Sequence, residues 1–238
     1  MQRQTLGHLA LALAISATLS AQGQKPRQES HGQLFPPTDL GLLEAPDRAD
    51  WQHPDEVMDN LGIAEASVVA DIGAGAGWFT IRLARRVGPN GVVYAEDVQQ
   101  EMLTAISRRA MAEGLTNVRP ILGNDNDPGL PAGVDAVLMV GAYHEVKNRV
   151  TLLRNIARAL RPGGRLGVID FKLEGSGPGP DPEERVSPET VVRDAEKAGL
   201  RLLSQETFLP YQYLLIFDSL TPSPARKTAK RPGAPHSR

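Results

Sequence analysis

The sequence predicts an α/β protein in which strands and helices alternate along a single domain. Two observations lead to this prediction. Short apolar runs rich in β-branched residues alternate with segments whose apolar residues recur at helical spacing. The chain of 238 residues is long enough to bury one sizeable core, and it shows no internal repeat.

The first strand, turn and helix carry the most informative pattern in the chain. Residues 68–77 read Val-Val-Ala-Asp-Ile-Gly-Ala-Gly-Ala-Gly, and a helical pattern follows over 78–87. Glycines suit such a turn because they allow a sharp change of direction and the close approach of a ligand. A dinucleotide fingerprint, Gly-x-Gly-x-x-Gly, would place its third glycine at position 78, which is Trp78. The pattern present is instead Asp-x-Gly-x-Gly-x-Gly, formed by Asp71, Gly73, Gly75 and Gly77.

A second strand ends in two acidic residues. Residues 91–97 read Gly-Val-Val-Tyr-Ala-Glu-Asp, and a helix is expected to start near Gln99. Asp97 lies 24 residues after Gly73, where a βαβ unit places a ribose-binding carboxylate. A carboxylate suits this role because it accepts hydrogen bonds from both ribose hydroxyls. Glu96 is the alternative residue for the same role.

The remaining elements continue the alternation. A third strand over 117–122 is followed by the polar run Gly-Asn-Asp-Asn-Asp at 123–127. A fourth strand over 134–140 is continuously apolar, as expected for burial on both faces. The other predicted elements are a helix over 147–160, a Leu-Arg-Pro-Gly-Gly turn over 160–164, a strand over 165–170, a helix over 187–199 and strands near 200–208 and 211–217.

Four of these patterns, in this order, resemble motifs of the class I S-adenosylmethionine (SAM) dependent methyltransferases. They are the glycine loop, the second strand with its acidic end, the third strand with its polar run, and the Leu-Arg-Pro-Gly-Gly turn. The resemblance covers roughly residues 50–218. It implies a Rossmann-like methyltransferase fold, which is a doubly wound seven-stranded sheet of order 3-2-1-4-5-7-6 with the seventh strand antiparallel, and it implies SAM as the cofactor.

The resemblance also assigns residues to the cofactor. Asp71 is expected to help hold the amino acid end and Asp97 the ribose, while the adenine amino group is expected to contact Asp125 or, as second choice, Asn124. The alternative for each carboxylate is that it caps the following helix. The predicted cofactor-binding residues are Asp71, Gly73, Ala74, Gly75, Gly77, Asp97, Val98, Asn124, Asp125 and Gly141.

The methyl acceptor is expected at the carboxyl end of the fourth strand, near the point where strand order reverses. This places Tyr143, His144 and Glu145 beside it. His144 is the candidate base because the pKa of histidine lies near working pH. Glu145 would orient His144 or cap the next helix, and Tyr143 would stack on a planar acceptor. The alternative is that Tyr143 packs in the core and that the other two residues begin a helix.

Three further features surround this predicted acceptor site. Asp170 ends the fifth strand and is placed to approach the acceptor or a metal, but no second carboxylate has metal-binding spacing, so no metal is predicted. The Gly- and Pro-rich loop 174–183 either shapes the acceptor pocket or is a plain surface loop. Trp51 either closes the cofactor site or packs on the sheet edge. The segment that contains Tyr143, His144 and Glu145 lacks the Asn/Asp-Pro-Pro-Tyr/Phe pattern used to methylate amide or adenine nitrogens.

Composition excludes several function classes. The chain has no cysteine, which excludes cysteine nucleophiles, thiolate zinc sites and the methyltransferases that bind arsenite through cysteines. Residues 24–220 hold 20 basic and 28 acidic residues, a net charge of −8. Such an acidic surface argues against nucleic acid as the main substrate, because phosphate binding needs basic side chains. A small-molecule acceptor is expected, and the oligomeric state is left open.

The two ends differ from the middle of the chain. Residues 1–23 carry Arg3, a short apolar stretch and small residues, which is the pattern of a secretory signal peptide. We therefore expect a periplasmic or exported protein; the alternatives are an uncleaved membrane anchor or a cytoplasmic protein with a misassigned start. Residues 24–50 are interpreted as a linker, 51–220 as the methyltransferase domain and 221–238 as a disordered basic tail.

The function predicted from sequence is transfer of a methyl group from SAM to an unidentified small molecule, in the neighbourhood of quinone C-methyltransferases and small-molecule O-methyltransferases. Export would remove the enzyme from the cytosol, where SAM is made. The alternative is therefore an exported, non-catalytic ligand-binding protein on a methyltransferase scaffold. An NAD(P)-dependent oxidoreductase is third, and Trp78 disfavours it.

Overall fold

The computed structural model describes residues 34–36, 45–175 and 177–220. The predicted signal peptide, most of the predicted linker and the predicted basic tail lie outside the described residues. Within the described part of the chain, no helix is long and apolar enough to cross a membrane.

Seven strands form one sheet in the order β3-β2-β1-β4-β5-β7-β6, which confirms the predicted topology. The strands β1 to β5 pair in parallel, and β7 is antiparallel to both of its neighbours. The strands are β1 (Val68–Ile72), β2 (Val92–Asp97), β3 (Val118–Leu122), β4 (Val134–Val140), β5 (Leu160–Phe171), β6 (Leu200–Glu206) and β7 (Gln212–Ser219).

Helices cover both faces of this sheet and bury its two apolar surfaces. On one face, Val57, Ile81 and Ile106 belong to one buried cluster, and on the other face Ile156 and Val191 belong to a second. The helices are α1 (Arg48–Gln52), α2 (Pro54–Asn60), α3 (Trp78–Val87), α4 (Gln100–Ala112), α5 (Arg149–Ala159) and α6 (Pro188–Lys197), with short 3-10 turns at Tyr143–Glu145 and Pro182–Glu184.

The start of β5 differs from the prediction. Leu160–Gly164 was expected to be a turn before the strand, but these residues belong to β5. Val134 of β4 pairs with Leu160, whereas Ala136 pairs with Arg165, so the extra residues of β5 form a bulge. Pairing with β4 thus extends the strand into a segment whose proline and glycines indicate a turn locally.

The carboxyl edge of the sheet positions the candidate site. Parallel strands all end at the same edge, where ligands of doubly wound proteins bind. Because β7 is antiparallel, its first residue, Gln212, also lies at this edge, paired with Phe171 at the end of β5. The loops after β1, β2, β3, β4 and β5 and the start of β7 therefore converge.

Candidate active site

A cavity of about 750 Å³ opens at the carboxyl edge of the sheet. This volume lies within the range of pockets that hold small molecules and cofactors. The loops after β1 to β5, helix α1 and the segment 34–36 contribute to its walls. Nine of the ten predicted cofactor-binding residues line it: Asp71, Gly73, Ala74, Gly75, Asp97, Val98, Asn124, Asp125 and Gly141.

Two glycines of the loop after β1 are required by its conformation. Gly73 has φ +64°, and a Cβ there would come within 2.5 Å of the Cβ of Ala142 in the loop after β4. Gly75 has φ +54°, and its N–H donates to Asp97 Oδ2 over 2.9 Å. The backbone therefore approaches two neighbouring loops closely, and a side chain at position 73 has no room.

Gly77 is the exception among the predicted cofactor-binding residues, because it does not line the cavity. It stands at the start of α3 with φ +81°. A Cβ there would lie 3.0 Å from Ile106 Cγ1 of α4. Its backbone conformation and its packing against α4 account for the glycine without a cofactor, and the contact of Gly77 with the cofactor stays a prediction.

Asp71 lies in the wall of the cavity and is hydrogen-bonded to Thr80 in the first turn of α3. Its side chain accepts a hydrogen bond from the Thr80 hydroxyl over 2.6 Å, and the residue is buried. Burial raises the pKa of Asp71 to about 6, while the Thr80 hydrogen bond and the charge of Arg48 oppose this increase. Gly77 occupies the N-cap position of α3, and Asp71 also accepts a hydrogen bond from the backbone N–H of Thr80, so Asp71 contacts the first turn of this helix as well as lining the cavity.

The two acids at the end of β2 have different environments. Asp97 accepts hydrogen bonds from the backbone N–H groups of Gly75 and Gln99, both over 2.9 Å, and so joins two loops. Glu96 lies beneath the glycine loop, where the N–H of Gly73 donates to its Oε2 over 3.3 Å. Burial raises the pKa of Glu96 to about 8 and also raises that of Asp97. The assignment of the ribose to Asp97 stays a prediction, with both carboxyls in the cavity wall.

The loop after β3 provides the far end of the cavity. Asn124 Oδ1 accepts hydrogen bonds from the backbone N–H groups of Asn126 and Asp127, each over 3.0 Å. The Asn124 oxygen is therefore used within its own turn. Asp125, which is exposed and lines the cavity, is the better placed of the two for an adenine amino group.

His144 and Asp170 form a buried pair at the ends of β4 and β5. The imidazole Nδ1 lies 3.1 Å and 3.2 Å from the two Asp170 carboxylate oxygens, and the backbone N–H of His144 donates to Asp170 Oδ2 over 3.0 Å. The other ring nitrogen, Nε2, lies 3.8 Å from Glu145 Oε1. Both His144 and Glu145 line the cavity. The sequence placed Asp170 near the acceptor; the structure shows that it orients a histidine.

The pKa values of this group follow from burial and charge. Burial opposes the charged form of His144, but the hydrogen bond and charge of Asp170, together with Glu145, outweigh it and raise the His144 pKa. Burial likewise raises the pKa of Glu145 to about 7, against the opposing charge of His144. A cavity-lining histidine with one ring nitrogen held by a carboxylate is suited to accepting a proton on the other.

Tyr143 does not face the cavity, which corrects the expectation that it stacks on the acceptor. Its side chain is 1% exposed and belongs to the core cluster on the α5–α6 side of the sheet. Its hydroxyl donates to Asp194 Oδ2 over 3.1 Å, and the Arg149 guanidinium lies 5.2 Å from its ring centroid. Tyr143 therefore packs in the core, as the alternative interpretation of the sequence proposed.

Aromatic side chains line the part of the cavity where the acceptor was predicted, which we call the acceptor side. Phe35, Trp51, Phe171 and Tyr211 all line it, with the rings of Trp51 and Tyr211 in edge contact at 5.9 Å. Trp51 therefore contributes to the site and packs on Tyr211 at the same time. The loop after β5 lines it through Pro178, Gly179 and Pro180, which supports the pocket-shaping interpretation of that loop.

The described segment 34–36 bridges the two halves of the cavity. The N–H of Phe35 donates to Glu145 Oε2 over 3.3 Å on the acceptor side. The carbonyl of Phe35 accepts a hydrogen bond from Gln99 Nε2 over 3.0 Å, next to the Asp97 loop. This contact was not predicted, because nothing in the sequence around Phe35 indicates which loops it would reach.

A chain of side-chain hydrogen bonds that sequence reasoning missed crosses the cavity wall from α1 to β7. Arg48 Nε donates to Gln52 Oε1 over 2.6 Å, and Gln52 Nε2 donates to Gln212 Oε1 over 2.8 Å. All three residues line the cavity, and both glutamines are 1% exposed. A glutamine at the start of a strand carries no sequence signal, so this pair could be found only from the fold.

Carboxyl groups outnumber basic groups in the lining of the cavity. Among the described lining residues, one side chain carries a guanidinium, Arg48, whereas carboxyl groups are numerous. Such a lining suits a cationic ligand and disfavours a pyrophosphate. The described residues contain no group of three or more His, Cys, Asp or Glu able to hold a metal ion. The carboxyl-bearing residues are Asp47, Asp71, Glu96, Asp97, Asp125, Glu145 and Glu184.

Comparison with known proteins identifies relatives of this arrangement. Residues 69–164 match the family model of a methyltransferase domain. A SAM dependent methyltransferase from Aquifex aeolicus, known from its crystal structure, is 32% identical, with a TM-score of 0.73 over 77% of this chain and 98% of that one.

Two curated relatives match part of the chain. The ubiquinone/menaquinone biosynthesis C-methyltransferase UbiE of Pasteurella multocida is 31% identical over 116 residues, which is 48% of this chain and 43% of that protein. The nocamycin O-methyltransferase of Saccharothrix syringae is 34% identical over 119 residues, which is 48% of this chain and 39% of that protein. The chain thus spans less than half the length of these two relatives.

Proposed function

This chain belongs to the class I SAM-dependent methyltransferases, and on that premise we propose that it transfers a methyl group from SAM to a small-molecule acceptor. The family's cofactor carries a methyl group on a positively charged sulfonium, which makes that methyl electrophilic. The observation that carries the proposal is the cavity itself, in which a glycine loop, an acidic wall and the His144–Asp170 pair meet.

The residues on the β1–β3 side fit the cofactor. Gly73 leaves the backbone open where a Cβ would collide with Ala142. Asp71, Glu96 and Asp97 place three carboxyl groups beside a ligand that carries a sulfonium cation. Charge complementarity therefore favours SAM over an anionic dinucleotide.

On the β4–β5 side, His144 is proposed as the base. An ionised Asp170 carboxylate is an acceptor only, so it holds the proton of the neutral imidazole on Nδ1 and leaves the Nε2 lone pair available. A hydroxyl or carbon acid at this end of the cavity would pass its proton to Nε2 as the methyl group is transferred. The protein's remaining task is to position the acceptor and exclude water.

The acceptor side favours an uncharged, planar small molecule. Its walls include four aromatic rings, which stack well on flat ligands, and the basic residue Arg48 is engaged with Gln52. The two curated relatives are named for quinone biosynthesis and for nocamycin, and quinones and nocamycin are small molecules, which supports the same class of acceptor here.

Calorimetric titration of the full chain with SAM, S-adenosylhomocysteine and NAD tests the proposal. We expect both adenosyl ligands to bind with Kd of about 1–100 µM and NAD not to bind. Asp97→Ala should weaken both adenosyl ligands by about tenfold or more, because it removes the carboxylate that joins the two loops.

Asp55→Ala is the matched control, since this carboxyl on α2 is 88% exposed and does not line the cavity. It should leave both affinities unchanged. Failure of a folded wild-type protein to bind either adenosyl ligand would contradict the proposal and favour a non-catalytic ligand-binding protein on the same scaffold.

A further inference from the structure

We propose that Gln212 determines acceptor specificity by donating a hydrogen bond from its side-chain amide to a carbonyl oxygen of the methyl acceptor. The acceptor would then be a planar compound with two functional groups, a methylated group near His144 and a carbonyl near the start of β7. This inference rests on the proposed function, since it assigns the other end of the same cavity.

The orientation of the Gln212 amide follows from its neighbours. The Arg48 guanidinium can only donate, so Gln52 must present its oxygen to Arg48. Gln52 then donates a hydrogen bond from its NH₂ group to Gln212, so Gln212 must accept it with its side-chain oxygen. The NH₂ group of Gln212 is thereby left at the end of the chain of hydrogen bonds.

That NH₂ group has no hydrogen-bond partner among the described residues, although its nitrogen is buried. A buried polar group without a partner is costly, and native proteins rarely leave one unsatisfied. Gln212 lines the cavity, and its position is held from the other side by Gln52. A ligand oxygen in the cavity would complete the hydrogen bonding of this amide.

The position of Gln212 indicates which ligand supplies the oxygen. In the sheet, β7 lies two strands from β4, about 10 Å away, and three strands from β1, about 14 Å away. The cofactor-binding loops follow β1, β2 and β3, whereas Gln212 is next to Tyr211 and Phe171 on the acceptor side. The oxygen therefore belongs to the acceptor, and the distance from β4 corresponds to a molecule of one or two rings.

The charge of the cavity defines the chemical class of that oxygen. Glu145 and Glu184 line the acceptor side, and an anionic carboxylate or phosphate placed there would be repelled. A neutral carbonyl accepts the amide hydrogen bond without this penalty. The favoured class is thus a hydroxyaryl ketone or a related carbonyl compound, whose hydroxyl can face His144.

Matched probe pairs that differ by one oxygen test the inference. Binding of 4-hydroxyacetophenone and 4-ethylphenol, and of a hydroxytetralone and the corresponding hydroxytetralin, is measured by calorimetry with and without S-adenosylhomocysteine. The wild-type protein should prefer each ketone by about fivefold, the contribution of one net hydrogen bond. Gln212→Met should reduce the preference to less than about twofold and leave the affinity for S-adenosylhomocysteine unchanged.

Gln205→Met is the matched control, because Gln205 is exposed on β6, and it should retain the preference. If Gln212→Met does not fold, Gln212→Glu keeps an acceptor for Gln52 while removing the donor, and it should lose the preference too.

Equal binding of both members of each pair by the wild type, including no binding of either, overturns the inference. A loss of S-adenosylhomocysteine affinity in Gln212→Met also overturns it, since the oxygen would then be the cofactor's carboxylate. Failure of the wild type to bind S-adenosylhomocysteine is instead the failure of the proposed function, and the probe preference of the free protein still tests Gln212.

Discussion

At the scale of single residues, His144 combines two environments. Its Nδ1 faces the fully buried carboxyl of Asp170, and its Nε2 lies 3.8 Å from Oε1 of Glu145. Burial alone would lower the pKa of His144, so its increase depends on Asp170 and Glu145. A base with a raised pKa loses its neutral, proton-accepting form at a higher pH than an ordinary histidine does.

Asp170→Asn should therefore lower the pKa of His144, because it removes the negative charge that stabilises the imidazolium. The imidazole resonances of His144, followed by NMR across a pH titration, measure this without any acceptor. Any rate that needs neutral His144 should correspondingly persist to lower pH in the variant. Asp218→Asn, which alters a carboxyl paired with Arg201 at the far end of β7, should leave the titration unchanged. An unaltered His144 pKa in Asp170→Asn would show that the pair is only structural.

The site residues fall into two groups: those that local sequence patterns predicted and those that come together only in the folded structure. Asp71, Gly73 and Asp97 were predicted because they stand at strand ends with characteristic spacing, and all three line the cavity. Gln52 and Gln212 were not, because they are 160 positions apart and meet only through the packing of α1 over the sheet. Local sequence predicts what a strand end offers, whereas contacts between distant segments depend on the tertiary structure.

At the scale of elements, the loop after β5 shows how glycines allow a loop to cover a pocket. Gly179 has φ +121°, and a Cβ there would lie 2.5 Å from Phe171 Cδ1. Gly175 in the same loop has φ +104°, but a Cβ there would meet nothing within 4 Å. The two positions share an unusual backbone conformation and differ in contact with the acceptor wall.

Gly179→Ala should destabilise the protein more than Gly175→Ala, by about 1–3 kcal/mol, because only the first forces an aromatic ring of the wall to move. Both should bind S-adenosylhomocysteine as the wild type does, since the loop is on the acceptor side. Urea denaturation measures the free energies of unfolding, and calorimetry the affinities. Equal destabilisation by the two substitutions would mean that the loop does not pack on Phe171 in solution.

The elements themselves were largely predictable. Apolar runs and glycine turns indicated the strands and helices, and the resemblance supplied the strand order that the structure confirms. The prediction for the start of β5 was wrong. Leu160–Gly164 has the local pattern of a turn, but its hydrogen bonding is determined by pairing with β4. A strand boundary of this kind depends on a partner strand more than 20 residues away.

At the scale of the whole molecule, the acidic cavity links stability to pH. Burial raises the pKa of Asp71 to about 6, of Glu145 to about 7 and of Glu96 to about 8. A carboxyl with a raised pKa in the folded state stabilises fully below its unfolded-state pKa and loses this contribution as pH rises through the folded-state value. The free protein should therefore lose stability between about pH 4 and pH 8, with Glu96 accounting for about 2–4 kcal/mol.

Binding of a cationic ligand should oppose this loss of stability with increasing pH. The sulfonium of SAM favours the ionised forms of Glu96, Asp71 and Asp97, so SAM binding should release protons between about pH 6 and pH 8. Its affinity should consequently increase with pH by about tenfold over that interval. S-adenosylhomocysteine lacks the sulfonium charge, so its affinity should change much less.

Calorimetry in phosphate and Tris buffers, which have different ionisation enthalpies, counts the protons released. Glu96→Gln keeps the size of a side chain confined beside Gly123 and should reduce both the proton release and the slope for SAM. Glu101→Gln, at an exposed position in the first turn of α4, should change neither. An equal pH slope for the two ligands would mean that the buried carboxyls do not sense the sulfonium charge. The acidic wall would then serve the glycine loop, whose Gly73 and Gly75 N–H groups it binds, and would not select the cofactor by charge.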